Sequence, residues 1–289
     1  MRPRRKRLRR TLATLLALYL LLLIVVFATH LPDLLIIHAA PGPLDTPDGQ
    51  STLIPSPTGQ LEVCIARSPA AQSAAPALYV LFFVGNEDRV NPWTAGVARM
   101  WEHDLGGGGK PVEAWGVNLP GFGLSTGPAY LSRIGPAALA AFDALHAKAG
   151  TTPIAVQAAS LGTLAALDIA AHRPIAALSL QDPPPLAALV LERNSWWNAG
   201  LLSLPIALSL PADIDSVTNA RHSTAPLLFI TSQYDTVVPP LFQQRIFDAY
   251  AGPKHHIVLP GAHHCGQPDP AMQLQLAALR HDLLQKPPG

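Results

Sequence analysis

Three residues in this sequence, Ser160, Asp235 and His264, are of the types that together activate a hydroxyl for attack on a carbonyl. A serine hydroxyl is a poor nucleophile until an imidazole removes its proton. The imidazole in turn needs a carboxylate to fix its tautomer and steady its cation. Ser160 lies in Ala158-Ala159-Ser160-Leu161-Gly162, between an apolar run at 154–157 and a helical stretch that begins at Leu161. A serine on a tight strand-to-helix turn needs small neighbours, which Ala158 and Gly162 supply, and the helix N-terminus there favours negative charge. The bland alternative for Ser160 is a helix N-cap. Asp235 follows the apolar run 227–231, and His264 follows the run 255–259. His263 competes with His264 for the base. Asp182 competes with Asp235 for the acid, although Pro183-Pro184-Pro185 beside it equally suit a plain turn.

Each of these segments resembles a signature of the α/β-hydrolase superfamily. The serine turn resembles the nucleophile elbow Gly-x-Ser-x-Gly, with Ala158 in place of the first glycine. Asp235-Thr236-Val237-Val238-Pro239 resembles the acid-bearing Asp-x-x-Val-Pro loop, and Gly261-Ala262-His263-His264 the Gly-x-x-His turn. The order serine, aspartate, histidine is the one this fold uses. Pro120-Gly121-Phe122-Gly123-Leu124-Ser125 resembles the Pro-Gly-Tyr/Phe-Gly-x-Ser loop after the fourth strand, a structural feature. Val84-Gly85-Asn86 resembles the His-Gly-x oxyanion loop, with valine where the family has histidine.

The resemblance covers residues 61–284. It implies Ser160 as nucleophile, His264 as general base and then acid, and Asp235 as orienter, with no cofactor and no metal. It also implies an oxyanion hole from the backbone N–H groups of Asn86 and Leu161, each such donor being worth about 3 kcal/mol in the transition state. Within the superfamily, the Gly-Asn loop, Ser125-Thr126-Gly127 and the N-terminus look most like membrane-anchored, esterase- or lipase-like serine hydrolases. The implied activity is cleavage of a carboxylic ester or thioester of an acyl or lipid-like substrate through a Ser160 acyl-enzyme. A peptidase or amidase with the same triad, a cofactor-free haloperoxidase-like activity, and a non-catalytic binding module on the same fold are the alternatives.

The elements that must position these residues alternate. Apolar runs at 51–54, 61–67, 77–84, 112–118, 152–158, 176–180, 227–231 and 255–259 read as strands. Helical patterns fall at 93–104, 134–149, 161–171, 240–250 and 271–284. Such alternation predicts an α/β fold with a mostly parallel sheet covered by helices on both faces. Residues 183–224 are too long for an ordinary connection and predict a small helical cap over the strand ends. Its Trp196, Trp197 and leucines either line an acyl pocket, touch a bilayer, or form the cap's own core.

Composition narrows the partners. The chain has 289 residues, 49% hydrophobic and 13% charged, which excludes disorder and permits a sizeable core. Seven of the 20 lysines and arginines stand in the first ten residues, so the rest carries 13 basic against 19 acidic groups, a net of −6. A body so acidic repels phosphate backbones, and no nucleic-acid partner is expected. Residues 11–32 hold no Asp, Glu, Lys or Arg, and about 20 helical residues span a ~30 Å hydrocarbon core. With the cations before this run, and no Lys or Arg after it until Arg67, the positive-inside rule predicts a single-pass signal anchor. The N-terminus is then cytoplasmic and the catalytic domain exported, periplasmic in a bacterium. A cleaved signal peptide, for which His38-Ala39-Ala40 is a poor site, and a twin-arginine signal at Arg9-Arg10 fit less well. The expected organisation is an anchor at 1–32, a linker at 33–50 and a hydrolase domain at 51–289.

Two further features are set aside. Gly106-Gly107-Gly108-Gly109-Lys110 lacks the glycine at 104 and the Ser or Thr at 111 that a phosphate loop needs, and reads as a turn. The pair His255-His256 and the run His263-His264-Cys265 have no metal-ligand spacing of a known type. Cys64 and Cys265 are too few for a disulfide scaffold or a four-cysteine zinc site, and read as two free thiols.

Overall fold

The computed structural model describes residues 2–105, 109–193, 196 and 200–285, with side chains from Lys6 onward. Trp197 and Gly106 to Gly108 lie outside the described residues.

Eight strands make one sheet. β1 (Gln50–Ser56) and β2 (Gly59–Arg67) form an antiparallel hairpin. β3 (Leu78–Phe83), β4 (Val112–Val117), β5 (Ile154–Ala159), β6 (Ala177–Gln181), β7 (Leu227–Ser232) and β8 (Lys254–Leu259) are mutually parallel, and β2 joins them antiparallel to β4. The spatial order is β1-β2-β4-β3-β5-β6-β7-β8. Every residue of β3, β4 and β7 is buried; β3 is accordingly an unbroken apolar run, while the one charge in β4, Glu113, is paired with Arg67 and Lys148.

Helices cover both faces. Alternate residues of β3 face opposite layers. Leu81 and Phe83 pack with α4 (Ile134–Ala149), α5 (Gly162–His172), α8 (Ser216–His222) and α9 (Pro240–Ala249). Val80 and Phe82 pack with α3 (Thr94–Asp104) and α10 (Pro270–Gln285). Alanines at 137, 138, 141, 165 and 166 let α4 and α5 lie close to the sheet, and Gly150, at φ 60°, ends α4.

The insertion after β6 contains α6 (Leu186–Ala188), a π-helical turn at Leu189–Arg193 and α7 (Ser203–Ser209). Its end differs from the sequence reading. α8 packs against α5 and α9 in the body, capped by the Asp215 carboxylate on the Thr218 N–H, so the chain has left the cap by Ser216. Ser216 Oγ donates to the Pro184 carbonyl at 2.8 Å and ties the two ends of the insertion together.

The N-terminus forms α1 (Arg2–Ala28) and α2 (Leu31–Ile36). Within α1, Lys6–Ala28 is long and apolar enough to cross a membrane and almost wholly exposed, a candidate anchor. Residues 33–50, read as a linker, are instead docked. Asp33 is buried and accepts the Leu131 N–H at 2.5 Å. Gly123 N–H donates to the Ala40 carbonyl and Gly42 N–H to the Gly123 carbonyl, both at 2.9 Å. Arg89 and Asn91 take the carbonyls of Gly42 and Leu44. Backbone carbonyls make most of these contacts, so a Pro- and Gly-rich composition gives no sign of them.

Candidate active site

The turn after β5 puts Ser160 at φ 47°, the left-handed region that a non-glycine residue enters at a cost. Its main chain is pinned: the Ser160 N–H donates to the Gln181 carbonyl, and Thr163 donates to the Ser160 carbonyl from both N–H and Oγ. Gly162 is required by space. A Cβ there would stand 2.5 Å from the Val84 carbonyl oxygen and 2.8 Å from Phe83 Cβ, so its absence lets α5 start against the end of β3. Ser160 Oγ does not cap α5 but faces His264.

His264 lies between the other two residues singled out in the sequence. Its Nδ1 is 2.7 Å from Asp235 Oδ2, and its Nε2 is 2.8 Å from Ser160 Oγ. A carboxylate only accepts, so Nδ1 carries the proton, and Nε2 is left to accept from the serine hydroxyl. Asp235 is oriented by the N–H groups of Val237 and Val238, each 2.8 Å from Oδ1. His263 is placed elsewhere, its ring against Tyr234.

Asp182, the rival acid, is also at the site. Its Oδ2 lies 4.0 Å from His264 Nδ1, too far for a hydrogen bond. Its oxygens accept from the Ser232 N–H and Oγ and from the Cys265 N–H, all at 2.7 Å. Asp182 thus joins β6, β7 and the histidine loop, while Asp235 holds the imidazole. The sequence reading missed Gln243 on α9, whose Nε2 reaches Asp182 Oδ1, Asp235 Oδ2 and the Val238 carbonyl. One glutamine on an amphipathic helix carries no pattern that would reveal this.

Ligand atoms of Asp182, His264 and Cys265 converge within 4.8 Å, the spacing of a metal cluster. The donor set does not suit one. Both imidazole nitrogens and both Asp182 oxygens are engaged, and burial, with Asp182 and Asp235 adding to it, pushes the Cys265 thiol up to about 12. Burial likewise pushes Cys64 up to about 11, and both cysteines are free.

Among the described residues, no acceptor takes the backbone N–H of Leu161 or Asn86. The loop bearing Asn86 runs hard against the serine, since a Cβ on Gly85 would be 3.1 Å from Ser160 Cβ. The segment leaving α2 holds this loop. Asn86 Oδ1 accepts the His38 N–H at 2.8 Å, Asn86 Nδ2 donates to the Ile36 carbonyl at 2.7 Å, and the Glu87 N–H donates to the His38 carbonyl at 3.0 Å.

A cavity of about 1320 Å³ opens over Ser160 and His264. Its walls include Ile36, Trp93, Met100, Leu186, Leu189 and Leu276, and they are mainly apolar. Arg193 at the end of the cap's π-helical turn donates to the carbonyls of Thr236 and Val237, fastening the cap to the acid loop. Trp196 is 82% exposed and is not among the cavity's walls.

No protein-family model matches the chain, and a search of curated proteins finds no match in sequence. Solved structures do match. The esterase Pf2001 of Pyrococcus furiosus aligns at TM-score 0.60 and 16% identity over 83% of this chain and 91% of its own. Est1E from Butyrivibrio proteoclasticus aligns at TM-score 0.61 and 16% identity over 82% and 99%. An alpha-beta serine hydrolase homologue from Coxiella burnetii gives 0.55 and 16% over 82% and 96%. At such identities the likeness is one of architecture, and by that measure this chain has the α/β-hydrolase fold.

Proposed function

We propose that the protein is a membrane-anchored serine hydrolase that cleaves a carboxylic ester or thioester of an acyl or lipid-like substrate. The observation that carries the reading is the unbroken hydrogen-bonded chain Ser160 Oγ, His264, Asp235, at 2.8 and 2.7 Å, under an apolar cavity. The α/β-hydrolase fold, shared with proteins described as esterases, supports it.

The chemistry follows from that chain. As Ser160 Oγ attacks the ester carbonyl, its proton passes to His264 Nε2, and Asp235 steadies the imidazolium. The carbonyl oxygen takes the negative charge and meets the N–H groups of Leu161 and Asn86. Collapse of the adduct breaks the bond to the alcohol or thiol, which leaves with the proton from His264. Water then attacks the acyl-enzyme by the same path and releases the acid and free Ser160. The apolar walls suit an acyl chain. α1 is the anchor, its basic end cytoplasmic and the hydrolase body on the exported side.

The test is labelling of the full-length protein with a fluorophosphonate, beside Ser160→Ala. Labelling of the native chain that is lost in the variant is the expected result. A folded native chain that does not label refutes an activated serine and leaves a binding module.

A further inference from the structure

The depth at which the body sits follows from where α1 meets it. The candidate span is Lys6–Ala28, and its charge-free part begins only at Thr11. Because ~20 helical residues are needed to cross a ~30 Å core, the hydrocarbon must reach the end of α1 near Ala28. Yet the last turns of α1 are not free. Tyr19, Leu22, Leu23 and Val26 recur at i, i+3, i+4 and i+7 and are half-buried or buried, Val26 at 1% exposure. Their neighbours Leu20, Leu21, Ile24 and Phe27 are half exposed or more. α1 packs against α2 and α7, which also touch each other. Tyr19 lies some 14 Å of helix before Ala28, at ~1.5 Å per residue, so whatever covers that face lies at acyl-chain depth.

The outward sides of α2 and α7 fit such a setting. α7 turns Ser203, Pro205 and Ile206 inward and exposes Leu204 and Leu208. α2 exposes Leu34 and Leu35, and Leu201 stands exposed just before α7. Neither helix shows a charge to the outside. α7 has no charged residue, and Asp33, the one charge of α2, is buried on the Leu131 N–H. In water these leucines would be an unpartnered apolar patch, whereas beside a spanning helix they continue its surface.

We propose that α2 and α7 are immersed in the outer leaflet beside α1, with Leu34, Leu35, Leu201, Leu204 and Leu208 facing lipid acyl chains. The proposal rests on the anchored-hydrolase reading and adds to it a route for substrate. Ile36 at the end of α2 and Leu186 and Leu189 of the cap are walls of the cavity over Ser160, so the cavity borders the immersed surface. An ester dissolved in the bilayer then reaches Ser160 without crossing water.

The experiment uses the full chain in phosphatidylcholine and phosphatidylglycerol vesicles doped with phosphatidylcholine that carries a diazirine in its acyl chain. After irradiation, tryptic peptides are read by mass spectrometry. Cleavage at Arg10 and Arg67 isolates 11–67, with the apolar part of α1 and all of α2, and cleavage at Arg193 and Arg221 isolates 194–221, with α7. Immersion is expected to label 194–221 at Leu204 and Leu208 with at least about a third of the yield at 11–67, where Leu34 and Leu35 are labelled as well as α1. Label confined to α1, with 194–221 below about a third of that yield, overturns the proposal and leaves the anchor standing. No label on α1 would refute the anchor itself and the proposal with it.

Discussion

Replacing Asn86 by alanine separates the side chain that holds the proposed oxyanion loop from the backbone N–H that would do its chemistry. The side chain makes two hydrogen bonds to the segment leaving α2, at 2.8 Å from the His38 N–H and 2.7 Å to the Ile36 carbonyl. At ~1 kcal/mol net each, about 2 kcal/mol holds the loop in place. The Glu87 N–H bond to the His38 carbonyl survives the change. What the loop can lose in catalysis is bounded by the ~3 kcal/mol that one oxyanion donor supplies. The expected outcome is therefore a fall in kcat of roughly 10- to 30-fold, since each tenfold corresponds to 1.36 kcal/mol. KM for a soluble ester should stay within about twofold, because the apolar walls are untouched. Asn86→Leu, similar in size but without the amide, should behave the same way. Deleting residues 1–38 removes the partner segment and should reproduce the loss even on a water-soluble substrate. Steady-state kinetics and fluorophosphonate labelling rates measure it. Wild-type kcat in both Asn86 variants would refute the clamp. A raised KM with kcat intact would move Asn86 from transition-state support to substrate binding.

Asp235→Asn should lower kcat about 10³- to 10⁴-fold by leaving the imidazole in the wrong tautomer, while Asp182→Asn, which strips acceptors from Ser232 and Cys265, should act mainly on thermal stability. A greater kcat loss in Asp182→Asn would reverse the assignment of the acid. Gly162→Ala places a methyl against the Val84 carbonyl and Phe83, and should cost about 1–3 kcal/mol of stability and most of the labelling; an active, stable variant would show that α5 has room to move. Burial raises the Asp168 carboxyl to about 6, with His172 pulling it down and Asp213 pushing it further up. A folded value above the unfolded one near 3.9 means that the folded chain holds the proton more tightly, so this stabilisation is full below about pH 4 and is lost as pH rises through about 6. Asp168→Asn should remove that slope in thermal melts and raise the melting temperature above pH 7; an unchanged pH profile would show that Asp168 does not titrate there.

The central strands were legible because burial on both faces leaves mainly apolar residues, as in the six of β3. The residues of the candidate site were legible for a different reason. A positive φ at Ser160 with a missing Cβ at Gly162 demands small residues at set spacing, and Val237 and Val238 bind Asp235 through a turn whose spacing is local. Long-range backbone contacts leave no such trace. Nothing in Ile36, Gly42 or Leu44 distinguishes a docked segment from a tether, because the groups engaged are their main-chain carbonyls. The cap's far boundary was obscured likewise, since α8 is too short for its periodicity to show which layer it joins.

The departure at Val84 now has a physical reading. Where the family pattern has a histidine in the oxyanion loop, this chain has an apolar side chain, and the polar work of fixing the loop falls to Asn86 two residues on. Its partners belong to the segment that follows the candidate anchor, and that segment is itself fixed by buried Asp33 and by the Gly123 loop. The Gly123 loop is held by Glu62, whose carboxylate burial would push up but for the Leu124 N–H, Ser51, Asn118 and Asn91, whose hydrogen bonds keep it low. A charged acceptor fixes one end of this series and an acceptor-free N–H beside Ser160 stands at the other. The residues joining them are those through which the chain leaves α1. Undocking residues 31–42 would therefore release the Asn86 loop, although none of those residues reaches Ser160, His264 or Asp235 by a hydrogen bond. On this reading the α/β body and the segment that follows α1 form a single structural unit, and a body cut free at residue 50 should retain the Ser160–His264–Asp235 hydrogen bonds while losing the support of its Asn86 loop.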